Sequence, residues 1–254
     1  MTEPQLQAPG FEILDVRDLR LLQGAAPMVS TEHQVAQDRV WDAAVAANPD
    51  LFDGPVVACA GVEWDGPRRL ILTWAQVTYR HYALRRVPGA SALPSLFVNV
   101  VQPTDDGRIM AARMSSSTAA PGRWQLPGGS VEPPQEHEVL DEAGLCRNAA
   151  RELVEETGLD TVPGDLQMWA VTRGENASIG VVYLAPPRPE AVLLDRFEAV
   201  AAAERACGRE PELELDRVAL VRSVGELAEL SGPHADYLAP IVRRYSESLL
   251  RRGA

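Results

Sequence analysis

Hydrophobic and polar positions alternate along FEILDVRDLRLL, residues 11–22, and a period of two predicts a first β-strand. Thr31 and Gln34 then stand at capping-box spacing for a helix to about Ala47, stopped by Asn48 and Pro49. Two β-rich runs, VVACAGVEW and RRLILTWAQV, flank Asp65-Gly66, a pair suited to a tight hairpin. The stretch RRVPGASALPS, with its prolines, glycine and small residues, reads as a boundary. Residues 1–92 are therefore expected to form a small α+β domain and residues 93–254 a second one.

In the second part, LFVNVVQPTDDGRIMAARM predicts a hairpin turning at Asp105-Asp106-Gly107. After the small-residue loop SSSTAAPG and the run GRWQLPGGSVEP, a helix is expected from near Asp141 to Thr157, with Gly158 as its left-handed terminator. LQMWAVTR and SIGVVYLA follow as strands, then an alanine-rich helix, 191–207, and a strand near ELELDRVALV. Ser223 and Glu226 offer a second capping box. From about His234 a last helix spaces Tyr237, Leu238, Ile241, Val242 and Tyr245 along one stripe, the pattern of core packing. Hairpins with few βαβ crossovers point to an α+β fold, helices sandwiching a mixed sheet, rather than a doubly wound one.

Composition narrows the function classes. A net charge of -12 opposes a sequence-independent grip on phosphate backbones, so no nucleic-acid partner is expected. All 24 basic residues are arginine, a usage that reflects coding preference more simply than phosphate binding. Cys59, Cys146 and Cys207 are too scattered for a zinc site or disulfide framework and read as reduced thiols. MTEPQLQAPG lacks a basic, then apolar leader, and no run reaches the ~18 apolar residues of a membrane span, so a cytoplasmic protein without membrane contact is expected.

The candidate chemistry lies in RNAARELVEETGL, residues 147–159. Glu152, Glu155 and Glu156 share one helical face, while Cys146, Ala150, Leu153 and Val154 fall on the other side. Like charges so placed repel by a few tenths of a kcal/mol per pair, roughly, and a bound divalent cation would offset that. Carboxylate oxygens suit Mg²⁺ or Mn²⁺, and Arg151 is placed to orient them. A plain solvated acidic face is the alternative.

The run RELVEETGL, with GRWQLPGG upstream and the DDGR hairpin before it, resembles the Nudix hydrolase family, whose signature is G-x5-E-x7-R-E-U-x-E-E-x-G-U with U bulky and apolar. Arg151, Glu152, Leu153, Glu155, Glu156, Gly158 and Leu159 match its second half. The first half departs: 21 residues separate Gly129 from Arg151 where the pattern has 13, and the early glutamate has no fixed equivalent, with Glu132, Glu136, Glu138 and Glu142 as candidates. The added stretch, PPQEHEVLDEAGL, either reshapes the pocket or extends the helix start, the second being preferred.

The resemblance implies a Nudix-type α/β/α sandwich and Mg²⁺- or Mn²⁺-dependent hydrolysis of a small-molecule nucleotide, a nucleoside diphosphate linked to another moiety. It implies metal ligation by Glu152, Glu155, Glu156 and the Gly128 carbonyl, with Glu214 or Glu212 as a further acid. Arg151 would hold the carboxylates, Glu155 would serve as ligand or as base for the water, and Arg113 and Arg123 would meet phosphate. His137 is a lesser candidate proton acceptor. The run NPDLFDGPVVACAGVEW with ILTWAQVTYRHY is similar to the leader of the UDP-glucose and UDP-galactose pyrophosphatase group. That implies a nucleotide sugar cleaved to nucleoside monophosphate and sugar 1-phosphate. In that segment Tyr79, Arg80, His81 and Tyr82 stand out, against a plain reading as an amphipathic strand end. ADP-ribose, a dinucleotide or a (d)NTP as substrate stays open, as do a nucleotide-sensing module, an interaction scaffold, and self-association as a homodimer.

Overall fold

The computed structural model describes residues 10–206 and 214–252. Among these described residues, ten strands form three sheets. The four-stranded sheet has the order β1 (Glu12–Leu14), β8 (Gln167–Arg173), β9 (Ile179–Leu184), β5 (Leu96–Val101), antiparallel except for the parallel β9–β5 pair. A second sheet runs β10 (Leu215–Val221), β6 (Ile109–Met114), β7 (Trp124–Gln125), and a third runs β2 (Asp18–Gln23), β4 (Arg69–Thr78), β3 (Pro55–Trp64). Five α-helices accompany them: α1 (Thr31–Ala47), α2 (Glu142–Thr157), α3 (Glu190–Ala206), α4 (Val224–Ala228) and α5 (Leu238–Arg252).

The mixed α+β sandwich follows from period two in the central strands. Along β5 and β9, Leu96, Val98, Val100, Ile179, Val181 and Tyr183 enter the apolar cluster that holds Leu145, Ala149 and Leu153 of α2. The intervening Val101 and Val182 enter the cluster of Tyr237, Leu238, Ile241 and Tyr245. Each strand thus feeds two cores, one per face, and a helix covers each face. The last helical stripe is core, as its spacing indicates.

Several sequence expectations are corrected. The run FEILDVRDLRLL is two strands, not one: β1 joins β8, while β2 lies parallel to β4. The helix over 31–47 is capped by Ser30, whose hydroxyl accepts from the His33 amide at 3.2 Å, and Gln34 reaches the Val29 carbonyl instead of closing a box with Thr31. At Ser223 the cap forms, but the Glu226 carboxylate accepts from the Arg222 amide. The 96–114 hairpin closes near its tip, where the Thr104 amide donates to Arg108 carbonyl (2.8 Å), the Met110 amide to Gln102 carbonyl (3.0 Å), and Gly107 takes φ 84°. Beyond Gln102, and past Pro103, which has no N–H for a ladder, the arms part into different sheets. Residues 79–86 form a 3-10 helix rather than a strand end. Most of the added stretch, 133–141, is loop, and only its last residues are helical.

The segments expected as separate domains share a strand pairing and a core. The Val57 amide donates to Val131 carbonyl and the Cys59 amide to Pro94 carbonyl, both at 2.8 Å, and Leu70, Leu72 and Trp74 pack in the same cluster as Leu153. Replacing fully buried Leu72 with Ala should cost about 2–5 kcal/mol and lower one cooperative transition for the whole chain. Chemical denaturation followed by circular dichroism and tryptophan fluorescence checks this; two separated transitions would refute the shared core.

Candidate active site

Helix α2 starts on Asp141, whose carboxylate accepts from the Gly144 amide at 2.7 Å, and ends on Gly158 at φ 70°. At about 100° per residue the buried arc of α2 is centred on Ala149 and Leu153, and Glu156 falls inside it while Val154 falls outside. Glu156 is accordingly only 6% exposed, and Val154 is 38% exposed. This corrects the sequence picture of one solvated acidic face opposite an apolar one.

A buried carboxylate needs partners. Glu156 Oε2 accepts from the Gly128 amide at 2.7 Å, whereas Oε1 has no hydrogen-bond partner among the described residues. Gly128 can offer that amide because the chain there runs against β5, with the Val100 amide on Pro127 carbonyl (2.8 Å) and the Val98 amide on Gly129 carbonyl (3.0 Å). It has φ 139°, and a β-carbon would collide with the Val98 carbonyl, so only glycine fits. Gly129 is needed for another reason: its β-carbon would occupy the place of the Glu152 carboxylate.

Arg151 organises the outer edge of this cluster. It pairs with Glu132 (2.5 Å), reaches Glu152 at 3.2 Å and Asn148 at 3.2 Å, and lies 3.9 Å from Glu155. Of the four candidates for the early glutamate, Glu132 is the one that meets Arg151. Glu136 and Glu138 lie in the exposed loop together with His137, and Glu142 opens α2.

The carboxylates stand in one another's field. Burial first, then the charge of Glu214, pushes the Glu152 carboxyl up to about 7, against the pull of Arg151. Glu156 is raised well above the usual range by burial, then by Glu214, Glu152 and Glu155, with the Gly128 amide opposing. Glu214 itself is raised by partial removal from water and by Glu155. Glu214, which immediately precedes β10, therefore stands in the field of the α2 acids. Glu212 lies outside the described residues. Among the described residues no three His, Cys, Asp or Glu side chains are gathered into a closed metal cage. The donor set nonetheless suits a hard cation: crowded carboxylates, one with a buried unpartnered oxygen.

A cleft of about 870 Å³ opens beside this cluster, bordered by Gly128, Gly129, Glu214 and Arg123, and by Tyr79 and Arg85 of the first segment. Arg123 enters no ion pair among the described residues. Arg113 is held in a two-point pair by Asp216 at 2.7 and 2.9 Å and does not border the cleft. Trp124 is buried under the site, donating to the Ser231 carbonyl at 3.0 Å. Sequence reasoning missed Asn99, 2% exposed and bordering the cleft with an unpartnered Nδ2, and Tyr237, which was read only as core. The signal was there for Asn99, the single polar residue in LFVNVV.

A family model described as a NUDIX domain matches residues 95–207. No curated protein matches the chain. Among solved structures, a MutT protein from Methanosarcina mazei Go1 is 19% identical over 61% of this chain and 96% of its own, with a TM-score of 0.40. A MutT NUDIX hydrolase from Burkholderia pseudomallei is 20% identical over 59% of this chain and 95% of its own, with a TM-score of 0.36. The NUDIX domain of Shewanella oneidensis NrtR, solved with ADP ribose, is 16% identical over 68% and 99%, with a TM-score of 0.40. Likenesses at this level say nothing of substrate. Over residues 95–207, a little under half of its length, the chain is similar to NUDIX domains.

Proposed function

We propose that the protein is a Mg²⁺- or Mn²⁺-dependent pyrophosphohydrolase of a nucleoside diphosphate linked to another moiety, a nucleotide sugar such as UDP-glucose being the first candidate. The observation that carries this reading is Glu156, a buried carboxylate with one oxygen unpartnered among the described residues, crowded by Glu152 and Glu214 and bonded to Gly128, which borders a large cleft. Glu152, Glu156 and Glu214, with Glu155 and the Gly128 carbonyl, would hold the cation. When bound, the cation neutralises phosphate oxygens and lowers the cost of charge building on the bridging oxygen. Arg151 keeps Glu152 and Glu155 oriented. The side chain of Glu155, 61% exposed, is open to a water and accepts its proton as the water attacks phosphorus. The P–O bond to the bridging oxygen breaks, releasing nucleoside monophosphate and sugar 1-phosphate. Arg123, which borders the cleft and has no ion pair among the described residues, is placed to meet a phosphate oxygen. The sugar assignment rests on the likeness of the first segment to the leader of UDP-sugar pyrophosphatases. The protein is expected to turn over at least one of UDP-sugars, ADP-ribose, dinucleotides or dNTPs with Mg²⁺, followed as phosphate released after adding a phosphatase. No turnover of any would overturn the hydrolase reading, and a preference for another member would overturn the sugar.

Glu156→Gln keeps the acceptor for the Gly128 amide but removes the charge. Its kcat should fall by at least about a hundredfold. Its melting temperature in EDTA should rise, since a buried repelling charge is gone, and Mg²⁺ should no longer raise it as it does in the parent. Thermal scans with and without Mg²⁺ test this; a parent-like Mg²⁺ response would remove Glu156 from the metal site.

The Glu152 carboxyl titrates near 7 folded against 4.5 in its ordinary state, so between those values the folded chain holds more protons than the unfolded one. Stability without metal must then fall as pH rises through that window. In EDTA the melting temperature should drop from about pH 5 to about pH 8, and Mg²⁺ should restore more at the higher pH. A flat profile in EDTA would contradict the crowding of these carboxylates.

A further inference from the structure

The far wall of the cleft belongs to the segment before residue 92. Tyr79 and Arg85 border it from the 3-10 helix Tyr79–Arg86. This wall is built on a ladder of rings. Trp41 of α1 meets Tyr79 edge-on at 6.3 Å, Tyr79 meets Tyr82 at 5.7 Å and 89°, and the Arg85 guanidinium lies over the Tyr82 ring, 4.5 Å from its centre. His81, 6% exposed, pins the helix to the boundary stretch by accepting from the Leu93 amide at 2.8 Å. The stacked guanidinium is thus preorganised, and no described residue takes up its hydrogen-bond fork.

The charges around it sharpen the point. Three arginines of this unit are engaged by carboxylates: Arg68 with Asp15, Arg69 with Asp18 and Asp65, Arg80 with Asp38 and Asp53. Arg85 forms no ion pair with any described residue, although the cleft it borders also holds Glu175 and Glu214. Arg123 is the other arginine of that cleft and is equally unpaired. Two guanidiniums without an ion pair among the described residues, one from each side of the 86–96 stretch, border one space beside a carboxylate cluster and complement a ligand that carries its own negative charge.

We propose that Arg85 is a substrate-binding residue which, with Arg123, grips the phosphoryl oxygens of the diphosphate, so that the first segment supplies part of the recognition site. This rests on the hydrolase reading for its substrate class, but its test does not need turnover. Calorimetry with inorganic pyrophosphate, UDP and uridine measures affinity on the parent, Arg85→Ala and Arg85→Lys, with melting temperature as a control on folding. Arg85→Ala should weaken pyrophosphate and UDP at least about tenfold, leave uridine unchanged, and flatten the salt dependence of UDP binding. Arg85→Lys should recover part of the loss, since it keeps the charge but not the flat fork. In turnover assays KM should rise with kcat little changed. Equal affinity of parent and Arg85→Ala for both anions, an equal loss for uridine, or no binding of either anion by the parent would overturn the proposal. Failure of the parent to hydrolyse any nucleotide would instead count against the hydrolase reading, while the binding result would still decide the role of Arg85.

Discussion

One hydrogen bond organises the site: the Gly128 amide on the buried Glu156 carboxylate. It commits the protein to a carboxyl group that water cannot reach on one oxygen and whose ionisation is disfavoured by burial and by neighbouring acids. Everything near it accommodates that commitment. Residues 127–131 run along β5 so that an amide points at α2, Gly128 lacks the β-carbon that would push the strands apart, and Gly129 leaves space for Glu152. Charge concentrated in this way costs free energy unless something positive compensates. The arrangement is costly as scaffolding and sensible as a binding site.

Compensation comes from within only at the rim. Arg151 is shared among Glu132, Glu152 and Glu155, so it fixes their positions without neutralising Glu156. Glu132 reaches it from the start of the added loop, which explains how an extra stretch can be carried between the glycines and α2 without loosening the acidic cluster. The loop bulges outward with Glu136, His137 and Glu138 exposed, while both of its ends stay tied to the site.

The helix of the acidic run, its Asp141 start and its Gly158 end were legible because caps and 3.6-residue spacing are local signals. So were β8 and β9 and the core stripe of α5. The burial of Glu156 was not, because it depends on where the arc of α2 meets residues 126–129, which is set by tertiary packing. The split of residues 11–22 between two sheets was hidden because each half alternates correctly on its own. The parting of the 96–114 hairpin was foreshadowed only by Pro103. Arg85 shows nothing in sequence to separate it from its neighbour Arg86; only the ring ladder distinguishes them.

The short strand β1 has a consequence for how the polypeptide can be divided. It covers the outer edge of β8 through residues 171–173, and Phe11 beside it is buried with Trp124 and Tyr237. A fragment cut to begin at residue 95 would keep the acidic helix but bare a row of unpaired amides and carbonyls, along with apolar surface left by the lost partner sheet. Edges of that kind recruit other chains. The opening residues thus act as a built-in guard against self-association of the half that bears the chemistry.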